Sequence, residues 1–400
     1  MSYLDKLLQN VEVEWIALGE VADYEQPTKY LVKSDNYRDN YPTPVLTAGK
    51  TFILGYTAET EGIYQASETP VIIFDDFTTA NKWVDFDFKA KSSAMKMITS
   101  KDESKALLKY IYYWLNTLPS GLVEGDHKRQ WISNYAIKEI PIPPLEVQKE
   151  IVRILDKFTE LTAELTAELT AELTARKKQY EYYRNKLLNF NGLNIEGGGY
   201  KWLRIKEIGI MIRGNGLQKK DFTESGVGCI HYGQIYTYYG MFTDKTKSFV
   251  SKEAAKKFRK AQRGDLIIAT TSENIDDVCK TVVWLGQEEI CVSGETYIFK
   301  HNQNPKYLAY YLQTPMFYDY KKQHVTGTKV IRVHGSKLEN FQIPIPSPAE
   351  QERIVTILDK FDILTTSISE GLPKEIELRK KQYEYYRDLL LTFPKNNIES

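Results

Sequence analysis

Apolar side chains at Ile151, Ile154, Leu155, Phe158 and Leu161 follow the spacing i, i+3, i+4, i+7, i+10, with mostly charged or polar residues between them. This is the stripe of an amphipathic helix. The stripe returns at Ile354, Ile357, Leu358, Phe361 and Leu364, displaced by 203 residues at every position. The same displacement relates Ile140-Pro-Ile-Pro to Ile343-Pro-Ile-Pro, and Arg-Lys-Lys-Gln-Tyr-Glu-Tyr-Tyr-Arg starting at Arg176 to the run starting at Arg379. Neither copy has gained or lost residues between these blocks, although identity between them drifts. Length held while identity drifts describes a rod. Residues 144–190 could form a helix of about 70 Å at 1.5 Å per residue, and a helix that long needs a partner. The second copy, lying antiparallel, supplies it. Ser347, Pro348 and Glu350 mark its start, and Gly371 with Pro373 predicts a break where the first copy is continuous.

The Ile-Pro-Ile-Pro segments are extended, because each proline fixes φ and pushes its predecessor out of the α region. Before each of them lies a globular pattern. Residues 69–74 are a short apolar run and residues 83–88 alternate, so both predict strands; residues 266–269 and 296–299 play that part in the second region. Residues 105–116 and 306–313 carry Leu and Tyr at helical spacing. The repeat extends here too: Trp15-Ile-Ala-Leu-Gly-Glu-Val resembles Trp202-Leu-Arg-Ile-Lys-Glu-Ile at a displacement of 187, and Lys109-Tyr110 resembles Lys306-Tyr307 at 197. The displacement climbs to 203 because the second region gains residues in loops. The expected fold class is α+β: two globular α/β-mixed regions joined by two long antiparallel helices in a coiled coil, with pseudo-two-fold symmetry. The expected boundaries are 1–142 for the first globular region, 143–192 for the central helix, 193–345 for the second region, and 346–400 for the C-terminal helix, broken near 371–373.

Residues 162–173 are three perfect Thr-Ala-Glu-Leu units. Each unit adds about 6 Å of helix and turns the leucine stripe by about 40°. A pseudo-two-fold molecule suits duplex DNA with two separated half-sites, which advances about 3.4 Å per base pair, so one unit would shift two domains bound to it by one or two base pairs. A lengthening without consequence is the alternative.

Lys and Arg total 53, as do Asp and Glu. A global basic footprint for nucleic acid is therefore absent, and any DNA site must be a local patch. Three cysteines without paired short spacing (Cys229, Cys279, Cys291) suggest neither disulfides nor zinc. No leader pattern or long apolar run occurs, so the expected compartment is the cytoplasm. A phosphate loop and an Asn/Asp-Pro-Pro-aromatic methyltransferase signature are both missing from the sequence. Asp76 with Glu103 and Lys105 can be arranged into a metal-dependent nuclease pattern, but an acid and a Glu-x-Lys recur by chance in a chain this charged.

Base edges are read by Arg, Lys, Asn and Gln on loops or element ends, and phosphates by cations, hydroxyls and backbone amides. In the first region Thr47, Gly49, Lys50 and Thr51 form one such turn. Thr78, Thr79, Asn81 and Lys82 form a second, Lys91 with two serines a third, and His127, Lys128, Arg129 and Gln130 a fourth. In the second region Arg213, Asn215, Gln218, Lys219 and Lys220 surround a Gly-Asn-Gly turn, while Lys329 and Arg332 stand where the first region has its basic loop. Tyr232, Gln234, Tyr236 and Tyr238 add groups that stack or hydrogen-bond. Lys252, Lys256, Lys257, Arg259, Lys260 and Arg263 read as a solvated helix face or a phosphate clamp. Asp75 and Asp76 are unusual on a DNA surface; they either accept from cytosine N4 or order their loop.

Direct repeats, paired long helices and unlike globular regions resemble the specificity subunit of a type I restriction-modification system. The tetrapeptide tract with the Arg-Lys-Lys-Gln-Tyr-Glu-Tyr-Tyr-Arg run resembles its type IC branch. Residues 44–56 and 74–83 resemble the first target-recognition domain of such subunits, and residues 231–240 a different recognition-domain type. The resemblance implies a non-catalytic protein without its own cofactor or metal, whose two domains each read half of a bipartite duplex DNA target. It implies helices that set the spacer and dock two methyltransferase subunits through Ile154, Leu155, Phe158, Leu161, Leu165, Leu169, Leu173, Tyr180, Tyr183, Ile357, Leu358, Phe361, Tyr383 and Tyr386. S-adenosylmethionine, ATP and Mg²⁺ would belong to the methyltransferase and restriction subunits, in a bacterial or archaeal cytoplasm. The Gly371-Leu-Pro373 departure leaves the symmetry of the two docking faces open. A coiled-coil assembly scaffold with protein-binding ends, and the specificity subunit of a methyltransferase-only system, are the alternatives.

Overall fold

A computed structural model of the chain describes residues 7, 11–49, 51–119, 129–190, 199–366 and 371–393. It divides into two compact units, Met1–Ala167 with Glu377–Ser400, and Glu168–Ile376. Each unit therefore contains one globular region, the adjoining part of the central helix and part of the other helical copy.

The first unit is built on a four-stranded antiparallel sheet in the order Ala22–Glu25, Met95–Ser100, Val71–Asp75, Asn81–Val84. Every residue of Val71–Asp75 is buried. Ile72 and Phe74 pack with Ile98 and the helix Leu108–Leu115, whereas Val71 and Ile73 pack with Met97, Leu46 and Phe88. A strand covered on both faces reads as an unbroken apolar run rather than an alternation. The expected strand at 83–88 is cut short. Its ladder ends at Val84, Asp87 turns away to accept from Ser67 N and Oγ at 3.0 and 2.6 Å, and Lys89–Ala90 joins a separate three-stranded sheet. The helix expected from 105 begins at Leu108, because Lys105 and Ala106 close a turn on the Asp102 carbonyl.

One side chain of the central helix (Leu145–Leu187) organises this start. Gln148 Oε1 accepts from Leu107 N at 3.0 Å, while its Nε2 donates to the carbonyls of Lys105 and Pro143 at 2.9 Å. Tyr110 donates to the Pro141 carbonyl at 2.8 Å and Tyr113 to Asp156 at 2.6 Å. The extended exit Glu139–Ile142 pairs with Glu14–Ala17.

The second unit repeats these bonds with its own residues. Gln351 Oε1 accepts from Asn304 N at 3.0 Å and its Nε2 donates to the Pro346 carbonyl at 3.1 Å; Tyr307 donates to the Pro344 carbonyl at 2.6 Å and Tyr310 to Asp359 at 2.7 Å. Its exit Gln342–Ile345 pairs with Lys201–Arg204. The main sheet runs Gly209–Arg213, Thr296–His301, Leu266–Ala269, Thr281–Trp284, with Phe242–Thr243 added at the edge. A second five-stranded sheet runs Phe222–Thr223, Ser248–Val250, Val227–Ile230, Ile290–Val292, Lys260–Ala261; its three middle strands pair as Ile53–Thr57, Thr43–Leu46 and Lys89–Ala90 do in the first unit, one neighbour antiparallel and one parallel, and the two outer strands are added. The basic segment is not one helix face: helix Lys252–Ala255 stops early and Lys260–Ala261 is a strand of that sheet.

The central helix has 43 residues and spans about 65 Å. Within the first unit Phe158 meets Tyr386 with ring centroids 5.7 Å apart, and Thr159 Oγ1 donates to Tyr383 Oη at 3.1 Å. Within the second unit Phe361 stacks on Tyr183 at 5.5 Å and meets Tyr180 at 6.4 Å. Phe158–Tyr386 and Phe361–Tyr183 are one antiparallel pair with its partners exchanged by the 203-residue displacement. The C-terminal copy is interrupted between helices Pro348–Thr366 and Leu372–Leu391. A Cβ on Gly371 would lie 2.5 Å from the Ile363 carbonyl oxygen, so the chain passes there only without a side chain. No described helix is long and apolar enough to cross a membrane.

Candidate nucleic-acid interface

Four separated polar segments of the first unit are drawn together by three backbone bonds. Lys91 N donates to the Leu46 carbonyl at 2.9 Å, Asp76 N to Ala94 at 3.4 Å, and Gln130 N to Asp76 at 2.8 Å. Residues 47–49 and 51 and the turns at 75–80, 91–94 and 129–131 thus form one continuous rim. Thr47 holds its turn by donating to the Thr51 carbonyl at 2.7 Å and accepting from Gly49 N at 3.3 Å. Lys91 is paired with Asp35, and Arg129 is exposed. Lys50, His127 and Lys128 lie outside the described residues.

Several expected loop residues have other places. Asn81 and Lys82 stand on the strand Asn81–Val84, with Asn81 Oδ1 accepting from Asn116 Nδ2 at 2.9 Å and Lys82 exposed. Thr79 is buried at φ 61°, and Gln130 is buried with its Oε1 accepting from Asn134 at 3.0 Å. Thr78 is exposed but donates to Asp75 Oδ2 at 2.6 Å. Asp75 and Asp76 both point inward. Asp75 Oδ1 accepts from the amides of Phe77 and Thr78 at 2.9 and 3.3 Å. Asp76 Oδ1 accepts from Trp131 N at 2.8 Å, and Oδ2 faces Lys96 Nζ at 3.6 Å. The acids order the turn, which leaves them unavailable to cytosine. The chance reading of the nuclease pattern agrees with this: Asp76 is buried on Trp131 N and Lys96, Glu103 accepts from Leu108 N at 3.1 Å, and among the described residues the two are not gathered with a third candidate metal ligand.

In the second unit Arg213 ends its strand, donating to the Gly294 carbonyl at 3.1 Å. Asn215 clamps the basic segment: Nδ2 donates to the Lys257 carbonyl at 2.8 Å and Oδ1 accepts from Arg259 N at 2.6 Å. Gln218 opens a short turn, closed by Asp221 Oδ2 on its amide at 2.8 Å, that exposes Lys219 and Lys220. The segment 232–238 is largely structural. Gln234 donates to Ser248 Oγ at 2.7 Å, Tyr236 to the Thr271 carbonyl at 2.7 Å, and the Tyr232 amide to Ser293 Oγ at 2.9 Å. Tyr238 remains 55% exposed with Lys247 Nζ 4.6 Å from its ring centroid. Lys329 is exposed.

Sequence reasoning missed Glu295, which gathers this unit's cations. Its carboxylate accepts from Arg332 Nη2 at 2.8 Å and Thr271 Oγ1 at 2.7 Å, and lies 3.6 Å from Arg213 Nη2. No local pattern marks a glutamate for that task. Lys321 was missed as well. Burial lowers its pKa, and Nζ donates to the carbonyls of Asp276 and Val278, both at 2.8 Å. Cys279 beside it is buried, and desolvation pushes its thiol up to about 12.

The expected docking residues divide by burial. Leu155 and Leu358 are fully buried in the cores of their units and Tyr180 nearly so, while Ile154, Ile357 and Phe361 are half-buried. These positions pack inside the chain, which removes Leu155 and Leu358 from any outer face. Phe158, Leu161, Leu165, Tyr383 and Tyr386 line an open groove of about 190 Å³. Leu169 and Leu173 are half-buried on the central helix, and Tyr183 is 37% exposed.

A family model described as the type I restriction modification DNA specificity domain matches residues 10–175 and 197–378. The chain is 52% identical over 404 residues to the EcoR124I/EcoR124II type I restriction enzyme specificity subunit of Escherichia coli, covering 99% of this chain and 98% of that one. It is 33% identical to a putative type I restriction enzyme specificity subunit of Haemophilus influenzae, with 98% of each chain covered. A solved chain from work on complex assembly and conformational transition of the type I R-M system shares the fold at a TM-score of 0.62 and 18% identity, covering 96% of this chain and 98% of that one.

Proposed function

Since the chain belongs to the family of type I restriction-modification DNA specificity proteins, we propose that its two units each read one half of a bipartite duplex DNA target. The chain is the DNA specificity subunit of such a system and its non-catalytic component. The observation that carries the two-half reading is the recurrence of one frame with unlike surroundings. Gln148 and Gln351, Tyr110 and Tyr307, and Tyr113 and Tyr310 make corresponding bonds. The polar turns mounted on the two frames share almost no sequence. A repeated mount carrying different surfaces suits a ligand with two separated, unlike half-sites.

On this reading the candidate reading surfaces are the rim containing Thr47, Thr78, Lys91 and Arg129, with exposed Lys82 on the adjoining strand, in the first unit, and the exposed cations Lys219, Lys220, Lys329 and Arg332 with Tyr238 in the second. The helices set the separation of the half-sites. The groove at Phe158, Leu161 and Tyr386 receives one of two methyltransferase subunits, with restriction subunits added in the full complex. S-adenosylmethionine, ATP and Mg²⁺ then act on those partners. Selection of duplexes from a random library by the chain bound to its methyltransferase tests this. The expected motif has two specified blocks around an unspecified spacer; one continuous block, or no sequence preference, defeats the proposal.

A further inference from the structure

Among the described residues only Thr79 and Cys279 hold a positive φ without being glycine, at 61° and 67°. They occupy the same position in the two units. Thr79 N donates to the Asp75 carbonyl at 2.9 Å and Asp75 N to the Ala80 carbonyl at 2.8 Å; Cys279 N donates to the Ala269 carbonyl at 2.8 Å and Ala269 N to the Lys280 carbonyl at 3.0 Å. Each pair closes the connection between the third and fourth strands of its sheet. The displacement between the units is 194 at Asp75 and Ala269 but 200 at Thr79 and Cys279. Six residues have entered the second loop without altering its closure.

The residue after the third strand is held alike in both units. Gln130 N donates to the Asp76 carbonyl at 2.8 Å, and Val333 N to the Thr270 carbonyl at 3.0 Å. Gln130 and Val333 are 203 residues apart, so Arg129 and Arg332 correspond beside the two loops. A buried lysine braces each loop from a different element. Lys96, on strand Met95–Ser100 and 1% exposed, faces Asp76; Lys321, on helix Pro315–His324 and 6% exposed, donates to the carbonyls of Asp276 and Val278. The tips face outward: Phe77 and Thr78 in one, Glu273, Asn274 and Asp276 in the other.

We propose that residues 76–80 and 270–280 are corresponding specificity loops, each reading base edges of its own half-site, with Lys96 and Lys321 as positioning residues. The inference rests on the two-half reading above. A strained residue persists only where its surroundings over-determine it, and such strain concentrates at sites that must present side chains in one geometry. Loops of different length on an identical closure let two domains present different groups from one mount. Glu273 offers a carboxylate suited to the exocyclic amine of cytosine, a chemistry absent from the exposed tip of the shorter loop.

The test is duplex selection from a library randomised in both halves, using the full chain in complex with its methyltransferase. The parent is compared with Thr78→Ala and Glu273→Ala, and a melting curve confirms folding of each complex. The expected result is that Thr78→Ala relaxes at least one position of one half about tenfold or more and Glu273→Ala does so only in the other half. Unchanged letters in either variant, or loss of both halves together in a folded complex, overturns the loop assignment. A parent that selects no bipartite motif instead defeats the two-half reading itself. Lys321→Met should relax the same half as Glu273→Ala, with Lys321→Arg restoring it; relaxation of neither half by Lys321→Met removes the positioning role.

Discussion

Asp76 and Lys96 face each other at 3.6 Å, at 2% and 1% exposure. Their ions have lost nearly all water, and the compensation comes from the pairing, from the Trp131 amide on Asp76 and from the Tyr24 ring 4.7 Å from Lys96 Nζ. A pair this dry contributes little net stability but costs a great deal when half of it is removed. Asp76→Ala should therefore destabilise the first unit by about 3–5 kcal/mol, whereas the double change Asp76→Leu with Lys96→Met loses much less. Urea unfolding of the two variants measures the difference; equal losses would show that the charge pair is not the reason. This pair also shows the limit of reading single residues. The two adjacent acids stood out in the sequence as foreign to a DNA surface, but which way they turned depended on Lys96 and Trp131, respectively 20 and 55 positions away. Thr79 and Gln130 failed as surface residues for the same cause: burial is decided by partners remote in the chain.

The helical stripes were legible because an α-helix makes neighbours of residues three and four apart, so the pattern is local. The glycine-proline interruption was legible for a local reason too. What the stripe could not disclose is which of its residues meet a globular core and which meet the other helix. Leu155 and Leu358 do the former, Phe158 and Phe361 the latter. At this scale one difference between the two copies carries a charge. Thr159 in the first unit corresponds to Asp362 in the second. The Asp362 carboxyl is held above its ordinary range, chiefly by burial and further by Asp359, with the Thr366 hydroxyl and Lys306 pulling it down. Tyr180 also faces this node, with Arg184 beside it. Because its folded pKa lies above the unfolded value, ionising Asp362 weakens the second unit as pH rises through the folded pKa. Asp362→Thr should thus raise the melting temperature at pH 7, and the gain should vanish as pH falls below the unfolded carboxylate range. Melting curves across that range decide it; a gain that persists in acid would assign the effect to packing instead of charge.

For the whole molecule the tetrapeptide tract offers the sharpest handle, since it changes length in units while leaving each unit's frame alone. Deleting residues 166–169 removes about 6 Å of central helix and about 40° of rotation. The preferred spacer between half-sites should change by one or two base pairs, with the letters of both halves kept. Sequencing the methylated sites of both forms reads this directly, and an identical spacer would end the proposed ruler.

The sequence alone determined everything that depends on neighbours along the chain: two stripes of equal length, a broken second copy, extended proline exits, and two unlike regions of strand and helix. Repetition added more, because a constant displacement reports structure without needing coordinates. Tertiary structure decided what depends on residues brought from afar. It joined four polar turns into one rim through backbone bonds, ended the expected strand at 83–88 after Val84, and turned Asp75 and Asp76 inward. It also revealed that Thr79 and Cys279, unlike in chemistry and flanked by loops of different length, close the same turn. A hydrogen bond between a carbonyl and an amide carries no side-chain signature, so no sequence pattern could have announced that correspondence.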